Sequence, residues 1–328
     1  MTFDFNNKNV LITGGAGFIG SNIAFYLQRN YPLCHITVFD KFQSDDKFPS
    51  GNYTAFGHFK NLEGFKGKVI SGDINDANDQ EVLKNYSWDC IFHEAAISDT
   101  TVMNQSLVIK TNTNTLQFFI KLASQSGAHL VYASSAGTYG NSIAPNKVGA
   151  GEIPENVYGF SKLMMDNAVR ELLKSNPEAK VTGLRYFNVY GPLEYYKAKT
   201  ASMILQLGLQ MLSTKKVRLF KYGEQMRDFV FVADVVQANI KAIGSKPGIY
   251  NVGYGKARTF NDIIKILTEV LEVKTDIEYI DNPYIFYQNN TCADITETQK
   301  HLQYNPEFSL EKGIAAYKDE IIRINNIL

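Results

Sequence analysis

The stretch "NVLITGGAGFIGSNIAFYLQRN" constrains the fold of this chain more than any other. A short apolar run from Asn9 to Thr13 leads directly into Gly14, Gly17 and Gly20, and an amphipathic pattern follows. Glycines three apart between a strand and a helix make a turn whose backbone N–H groups can meet a pyrophosphate, where the helix dipole favours negative charge. The bare Gly17 would permit the close approach, and Gly20 would let the helix pack tightly against the strand. Asp40 ends the next apolar run, "HITVFD", about twenty residues further on, where an acidic side chain can accept from a ribose 2′-OH. This spacing predicts a dinucleotide-binding unit.

The rest of the first half has the same rhythm. "KVISGD" (68–73), "WDCIFHEA" (88–95), "HLVYASS" (129–135) and "KVTGLRYF" (180–187) read as buried strands. Helical patterns separate most of them, at 79–85, at 107–124 and from Asn156 onward. Buried strands alternating with helices indicate an α/β fold, a Rossmann-type doubly wound parallel sheet covered on both faces. After Gly191-Pro192 the pattern changes. Helices are expected near 202–212, 260–271 and from Ser309, with strands at "KVRLF", "RDFVFVADV" and 277–280. The division expected is residues 1–190 for the dinucleotide, with 228–255 returning to that unit, and 191–328 mainly for substrate. On the dinucleotide reading, Asp73 would meet the adenine amino group, and the backbone of Ala95, Ala96 and Ile97 would pass the pyrophosphate or nicotinamide ribose.

Thirty-three basic and thirty-three acidic residues cancel, so charge gives no argument for nucleic acid or an anionic membrane. No apolar run approaches the length of a membrane span, and the N-terminus lacks the pattern of a secretory leader. Cys34, Cys90 and Cys292 have no paired spacing, which fits a reducing cytoplasm without disulfides or a thiolate metal site. The five histidines are scattered, and His93 reads as structural, so no metal is expected. Near the 2′ position, Lys41, Lys47 and Lys60 would favour a phosphate that Asp40 would repel. The residues alone leave NADP and NAD both open.

Chemistry is suggested by "YASSAGTYG" and "NVYGFSK". Tyr158 and Lys162 share one helical face, and an ammonium beside a phenol favours the tyrosinate. The expected result is a Tyr158 pKa below its ordinary value.

In this order, the glycine trio, Asp40, "GDIND", "FHEAA", "YASSAGTYG", "VYGFSK" and "RYFNVYGP" resemble the extended short-chain dehydrogenase/reductase family over nearly the whole chain. The resemblance implies that Ser135 bonds the reacting oxygen, Tyr158 is the acid/base, and Lys162 holds the ribose. Within the family, "IFHEAAISDTT", "RYFNVYGPLEYYKAKTASM", "YNVGYGKARTF" and "FYQNNTCADIT" are most similar to the branch that inverts carbon 6 of an ADP-linked heptose for lipopolysaccharide inner core. That branch implies a retained NADP, with NAD as the alternative, and a second base, Lys197. Cofactor contacts would come from Gly14, Gly17, Phe18, Ile19, Gly20, Asp40, Lys41 and Lys47, then Asp73, Ile74, Glu94, Ala95, Ala96, Ile97, Ser98, Asn112, Tyr158, Lys162 and Val189. The ADP-sugar would meet Ser98, Ser135, Asn188, Lys199, Gln206, Phe220, Lys221, Tyr222, Gly223, Arg227 and Tyr287. A guanidinium fork at Arg227 suits a pyrophosphate. A closed homo-oligomer, a pentamer, is also implied.

Two departures stand out. Ala198-Lys199-Thr200 replaces the family's Gly-Ser, and Gln206 stands where a histidine is usual, so Lys199 rivals Lys197. A UDP-hexose 4-epimerase is the alternative within the family. A dehydratase would want Asp-Glu where this chain has Ala136-Gly137-Thr138.

Overall fold

The computed structural model describes residues 3–281 and 290–327. Twelve strands are defined among them: β1 (Asn9–Thr13), β2 (His35–Asp40), β3 (Lys68–Ser71), β4 (Cys90–His93), β5 (His129–Ser135), β6 (Val181–Tyr186), β7 (Asn188–Tyr190), β8 (Lys216–Phe220), β9 (Met226–Phe231), β10 (Gly248–Val252), β11 (Ala257–Thr259) and β12 (Asp276–Ile280). Seven of them form one parallel sheet in the order β10-β6-β5-β4-β1-β2-β3. The order reverses between β1 and β4, and that switch point opens a crevice at the strand C-termini, where open α/β sheets bind ligands. The glycine turn follows β1 and "HEAA" follows β4, so both motifs meet there.

Two apolar layers cover the sheet. On one face the helices Phe18–Asn30 and Val232–Ala242 bury Ile23, Leu27, Val235 and Ile240 with Val10, Ile12, Val38 and Phe92. On the other, Leu116, Phe119, Met165 and Val169 pack on Leu11, Ile91, Leu130 and Tyr132. A separate core holds the C-terminal part. Ile204, Leu207 and Met211 from Met203–Thr214, Ile263 and Leu267 from Phe260–Leu271, and Ile314, Tyr317 and Ile321 from Leu310–Asn325 close on one another. Side-chain caps start these helices: Asn156 accepts from Gly159 N–H, Ser202 from Leu205 N–H, and Thr259 with Asp262 makes a reciprocal capping box. Each such cap stabilises by about 1 kcal/mol.

Two expectations need correction. "RDFVFVADV" is not one strand: β9 ends at Phe231, and Val232 begins a helix. β9 itself pairs with β7 and β11 in a small sheet of its own. Finally, the helix expected at 107–124 contains a π-type segment, Ile109–Asn114, between Gln105–Val108 and Thr115–Ser126. That wider turn lets Asn112 reach both backbone groups of Ile97, accepting from its N–H at 2.8 Å and donating to its carbonyl at 3.0 Å.

Candidate active site

One cavity of about 630 Å³ lies over the switch point. Its floor is the glycine turn. Gly14 has φ of 68°, and a Cβ there would lie 2.7 Å from Ala95 N, so neither the backbone angle nor the neighbouring strand end accepts a side chain. A Cβ on Gly20 would overlap Gly14 O, whereas one on Gly17 would meet only that oxygen, at 3.1 Å. Gly17 is therefore the position that keeps space open for a ligand.

Asp40 borders the cavity but its carboxylate already serves the backbone. Oδ2 accepts from Ala16 N–H at 2.9 Å and Oδ1 from Phe42 N–H at 2.8 Å. Burial raises its pKa, and these N–H groups with that of Gly17 oppose the rise. A ribose hydroxyl would be a further donor to a group whose first task is to close the turn. Lys41 lies beside it, paired with Asp73 at 3.0 Å. Burial works against the Asp73 charge, yet Asn75 N–H and Lys41 bring its carboxyl below the ordinary range.

The serine strand and the next helix form another wall. Of the two serines, Ser134 is spent on a buried network: its Oγ donates to Asp166 Oδ2 at 3.0 Å, beside the fully buried Arg185 whose Nε meets the same oxygen at 2.7 Å. Ser135 faces the cavity beside Tyr158, and its Oγ accepts from Gly137 N–H at 3.0 Å. Lys162, 2% exposed, has Nζ 5.9 Å from the Tyr158 ring and donates to Ala133 O at 2.6 Å. The expected lowering of the Tyr158 pKa is not found. Burial raises it and nearby Glu94 adds to that, while the Ser135 hydroxyl opposes the rise. Lys162 is itself brought down to about 8 by burial, with Glu94 and Asp166 opposing. Burial outweighs attraction because the ammonium is held by a carbonyl rather than by the phenol.

Glu94 and Tyr186 complete this wall. The Tyr186 hydroxyl donates to Glu94 Oε1 at 2.8 Å and accepts from Asn239 Nδ2 at 2.9 Å. Burial lifts the Glu94 pKa to about 7, opposed by the Tyr186 hydrogen bond and Lys162. Tyr186, Phe187 and Asn75 lie inside sequence motifs that give them no role, and Lys110 and Phe56 join them in the cavity lining. Lys110 and Phe56 stand outside every motif, and their place depends on long-range packing.

Ile19, Ile74, Ala96, Ser98 and Val189 also border the cavity, and so does Lys197, whose Nζ lies 5.6 Å from the centroid of the Phe18 ring. Burial lowers the Lys197 pKa, and Glu194 opposes this. Lys199, two residues on, is exposed and does not line the cavity.

Several expected contacts lie elsewhere. Lys47 is exposed, with its ammonium 4.7 Å from the Tyr53 ring. Asn112 stands behind the wall as the support of Ile97, and Asn188 donates to Asp228 O at 3.3 Å. Gln206 donates to Ala201 O at 2.7 Å, which ties down the turn before its own helix. Phe220, Lys221, Tyr222, Gly223 and Arg227 gather at the ends of β8 and β9, outside the cavity lining. Lys221 there pairs with Asp281 at 2.9 Å, and Arg227 donates to Met226 O at 2.9 Å. Tyr287 lies outside the described residues. Where a dehydratase would carry Asp-Glu, Ala136 and Thr138 are buried and Thr138 Oγ1 donates to Ser135 O at 2.9 Å, so this stretch presents no carboxyl to the cavity. His93 is held by Thr13 Oγ1 at 2.7 Å and stacks on Phe119.

A doubly wound sheet with a glycine turn at its switch point, and a serine, tyrosine and lysine on one wall, defines a Rossmann-type enzyme scaffold. The chain belongs to the NAD dependent epimerase/dehydratase family, whose model matches residues 10–253. It is similar to the ADP-L-glycero-D-manno-heptose-6-epimerase of Brachyspira hyodysenteriae, 33% identical over 318 residues, 94% of this chain and 96% of that protein. The crystal structure of the Helicobacter pylori ADP-L-glycero-D-manno-heptose-6-epimerase is 48% identical, with a TM-score of 0.90 and 98% of each chain covered. The Thermotoga maritima UDP-glucose 4-epimerase with UDP-glucose is 26% identical, with a TM-score of 0.82, covering 96% of this chain and 99% of that one.

Proposed function

We propose that this chain interconverts ADP-D-glycero-D-manno-heptose and ADP-L-glycero-D-manno-heptose by inversion at carbon 6, supplying the heptose of lipopolysaccharide inner core. The carrying observation is the 48% identity to a heptose epimerase across 98% of both chains. An assay of the purified protein with ADP-heptose and with UDP-glucose separates this reading from a UDP-hexose 4-epimerase. Turnover of UDP-glucose alone would overturn it.

The cavity suits a nicotinamide dinucleotide. Gly17 leaves open backbone at the helix start, and the lining runs from Asp73 and Ile74 through the glycine turn to Tyr158 and Lys162. Such a cofactor, when bound, would supply the oxidation and re-reduction at carbon 6, chemistry that no side chain here supplies. We assign it as NADP, on the ammoniums that Lys41 and Lys110 bring to the lining, with NAD as the alternative that Asp40 favours. Mass spectrometry of cofactor released on denaturation distinguishes the two.

The chain's own residues handle protons and orientation. Carbon 6 of a heptose has no adjacent carbonyl, so a carbanion there has nothing to delocalise into. Tyr158 takes the hydroxyl proton as carbon 6 becomes a ketone, with Ser135 bonding the same oxygen. A raised pKa makes the Tyr158 phenol a weaker acid and its phenolate a stronger base, so Tyr158 accepts the hydroxyl proton once its own proton has passed to solvent. The ketone end then rotates to present its other face. In that pose the oxygen points away from Tyr158, and Lys197 supplies the proton. The low Lys197 pKa eases that transfer. The molecule is assigned to the cytoplasm as a homo-oligomer, a pentamer on the family resemblance, which light scattering of the purified protein tests.

A further inference from the structure

Lys197 sits in a short 3-10 segment, Tyr195–Thr200, in a loop whose own turn hydrogen bonds are not its only support. Leu193 and Ala198 carry φ of 73° and 50°, and residues other than glycine keep such angles only where neighbours fix them. Leu193 N–H donates to Glu320 Oε1 at 3.0 Å, and three further contacts hold the loop. The buried Glu194 carboxylate accepts from Gly191 N–H at 3.1 Å and from Ser202 Oγ at 2.8 Å, which closes the loop on itself. Asn22 Nδ2, on the helix after the glycine turn, donates to Pro192 O at 2.9 Å. The third is a flat stack of His58 on Tyr196, with ring centroids 3.7 Å apart and planes inclined by 3°.

Tyr196 immediately precedes Lys197, so its ring sets where the lysine leaves the backbone. His58 is anchored from the opposite direction. Its N–H donates to Ala16 O at 3.0 Å, inside the glycine turn, and its Nδ1 accepts from Lys60 N–H at 3.2 Å. Asn61 Nδ2 donates to the same Ala16 oxygen at 3.1 Å. A continuous path therefore runs from the dinucleotide turn through Ala16, His58 and Tyr196 to Lys197. Two residues further along, beyond the stack, Lys199 is exposed.

We propose that His58 and Tyr196 are positioning residues whose stack holds the Lys197 ammonium inside the cavity, over Phe18, instead of in solvent. This rests on the reading of Lys197 as the second proton donor, and the test keeps the two apart. Reductive methylation of lysines, mapped by peptide mass spectrometry, compares Lys197 with the exposed Lys199 in the same molecule. The Lys197/Lys199 labelling ratio rises about two- to tenfold in His58→Ala and in Tyr196→Ala, the range that loss of one aromatic pair sets. His58→Phe, which keeps a flat ring, returns the ratio to the parental value. Turnover falls by a similar factor in the two alanine variants, with KM and cofactor content unchanged. Parental labelling in both alanine variants overturns the clamp. Parental epimerisation by Lys197→Met overturns the assignment of Lys197, while the labelling ratio still judges the stack.

Discussion

The glycine turn and the lysine loop each contain a residue at positive φ, and they solve the problem in opposite ways. The turn puts Gly14 at φ 68° against the Ala95 backbone, where only glycine fits. The loop puts Ala198 at φ 50°, ψ −122°, a conformation typical of the first central residue of a type II′ turn and strongly favouring glycine. The turn needs no outside help to hold its positive φ, which glycine adopts freely, although Asp40 closes it from β2. The loop is stable because Glu194, Asn22 and His58 hold it. A binding surface for a constant ligand part can be built into backbone, whereas a group that must meet a rotating substrate end is held by side chains, one of its own loop and two from other segments.

The variant with the largest effect tests the wall that both regions serve. Tyr158→Phe keeps the ring and removes the phenolic proton, so turnover should fall on the order of 10²–10⁴-fold with fold and cofactor content retained. Activity within a few-fold of the parent would remove Tyr158 as the acid/base. Gly14→Ala tests the glycine turn. A left-handed alanine and an overlap with Ala95 together should cost roughly 2–5 kcal/mol in denaturant unfolding, and loss of bound cofactor should accompany it.

Glu94 gives a pH signature on the cofactor side. Its folded pKa of about 7 lies above the ordinary 4.5, so the folded chain binds more protons than the unfolded chain between those values. Its contribution to stability is full below that window, is lost as pH rises through it, and is flat above about 7, with a slope of at most about 1.4 kcal/mol per pH unit. Glu94→Gln keeps an acceptor for Tyr186 and should flatten the stability profile between pH 5 and 7. An unchanged profile would show that Glu94 is not the group titrating. The smallest effect belongs to the loop: Ala198→Gly should stabilise by about 1 kcal/mol in the same unfolding assay. Destabilisation would mean that the loop is not strained at Ala198.

The same contrast explains what was legible in the sequence. Six strands of the large sheet and the glycine turn follow from contiguous patterns, strand run, glycine spacing and helix, each readable within about thirty residues, whereas the edge strand β10 carried no strand reading. The lysine loop does not. Lys197 could be named beside its rival Lys199, but what sets them apart is a stack onto His58, a residue from another segment that looked merely scattered. Tyr158 was legible as a residue and its pKa was not, because burial and the Ala133 carbonyl that holds Lys162 depend on packing. Ser134 and Ser135 are adjacent in sequence, and only the fold shows one given to Asp166 and the other to the cavity. Asp40 shows a further limit: its strand-end position was readable, but not that Ala16 and Phe42 had claimed both oxygens.

The central claim is that carbon 6 is inverted by removal and return of its own hydrogen at this cavity, with Tyr158 and Lys197 moving only the hydroxyl proton. Turnover of ADP-heptose in D₂O, followed by mass spectrometry and NMR of the product, tests it directly. The account predicts inverted product without deuterium at carbon 6. Stoichiometric deuterium at that carbon would contradict it, because the hydrogen would then have exchanged with solvent as a proton.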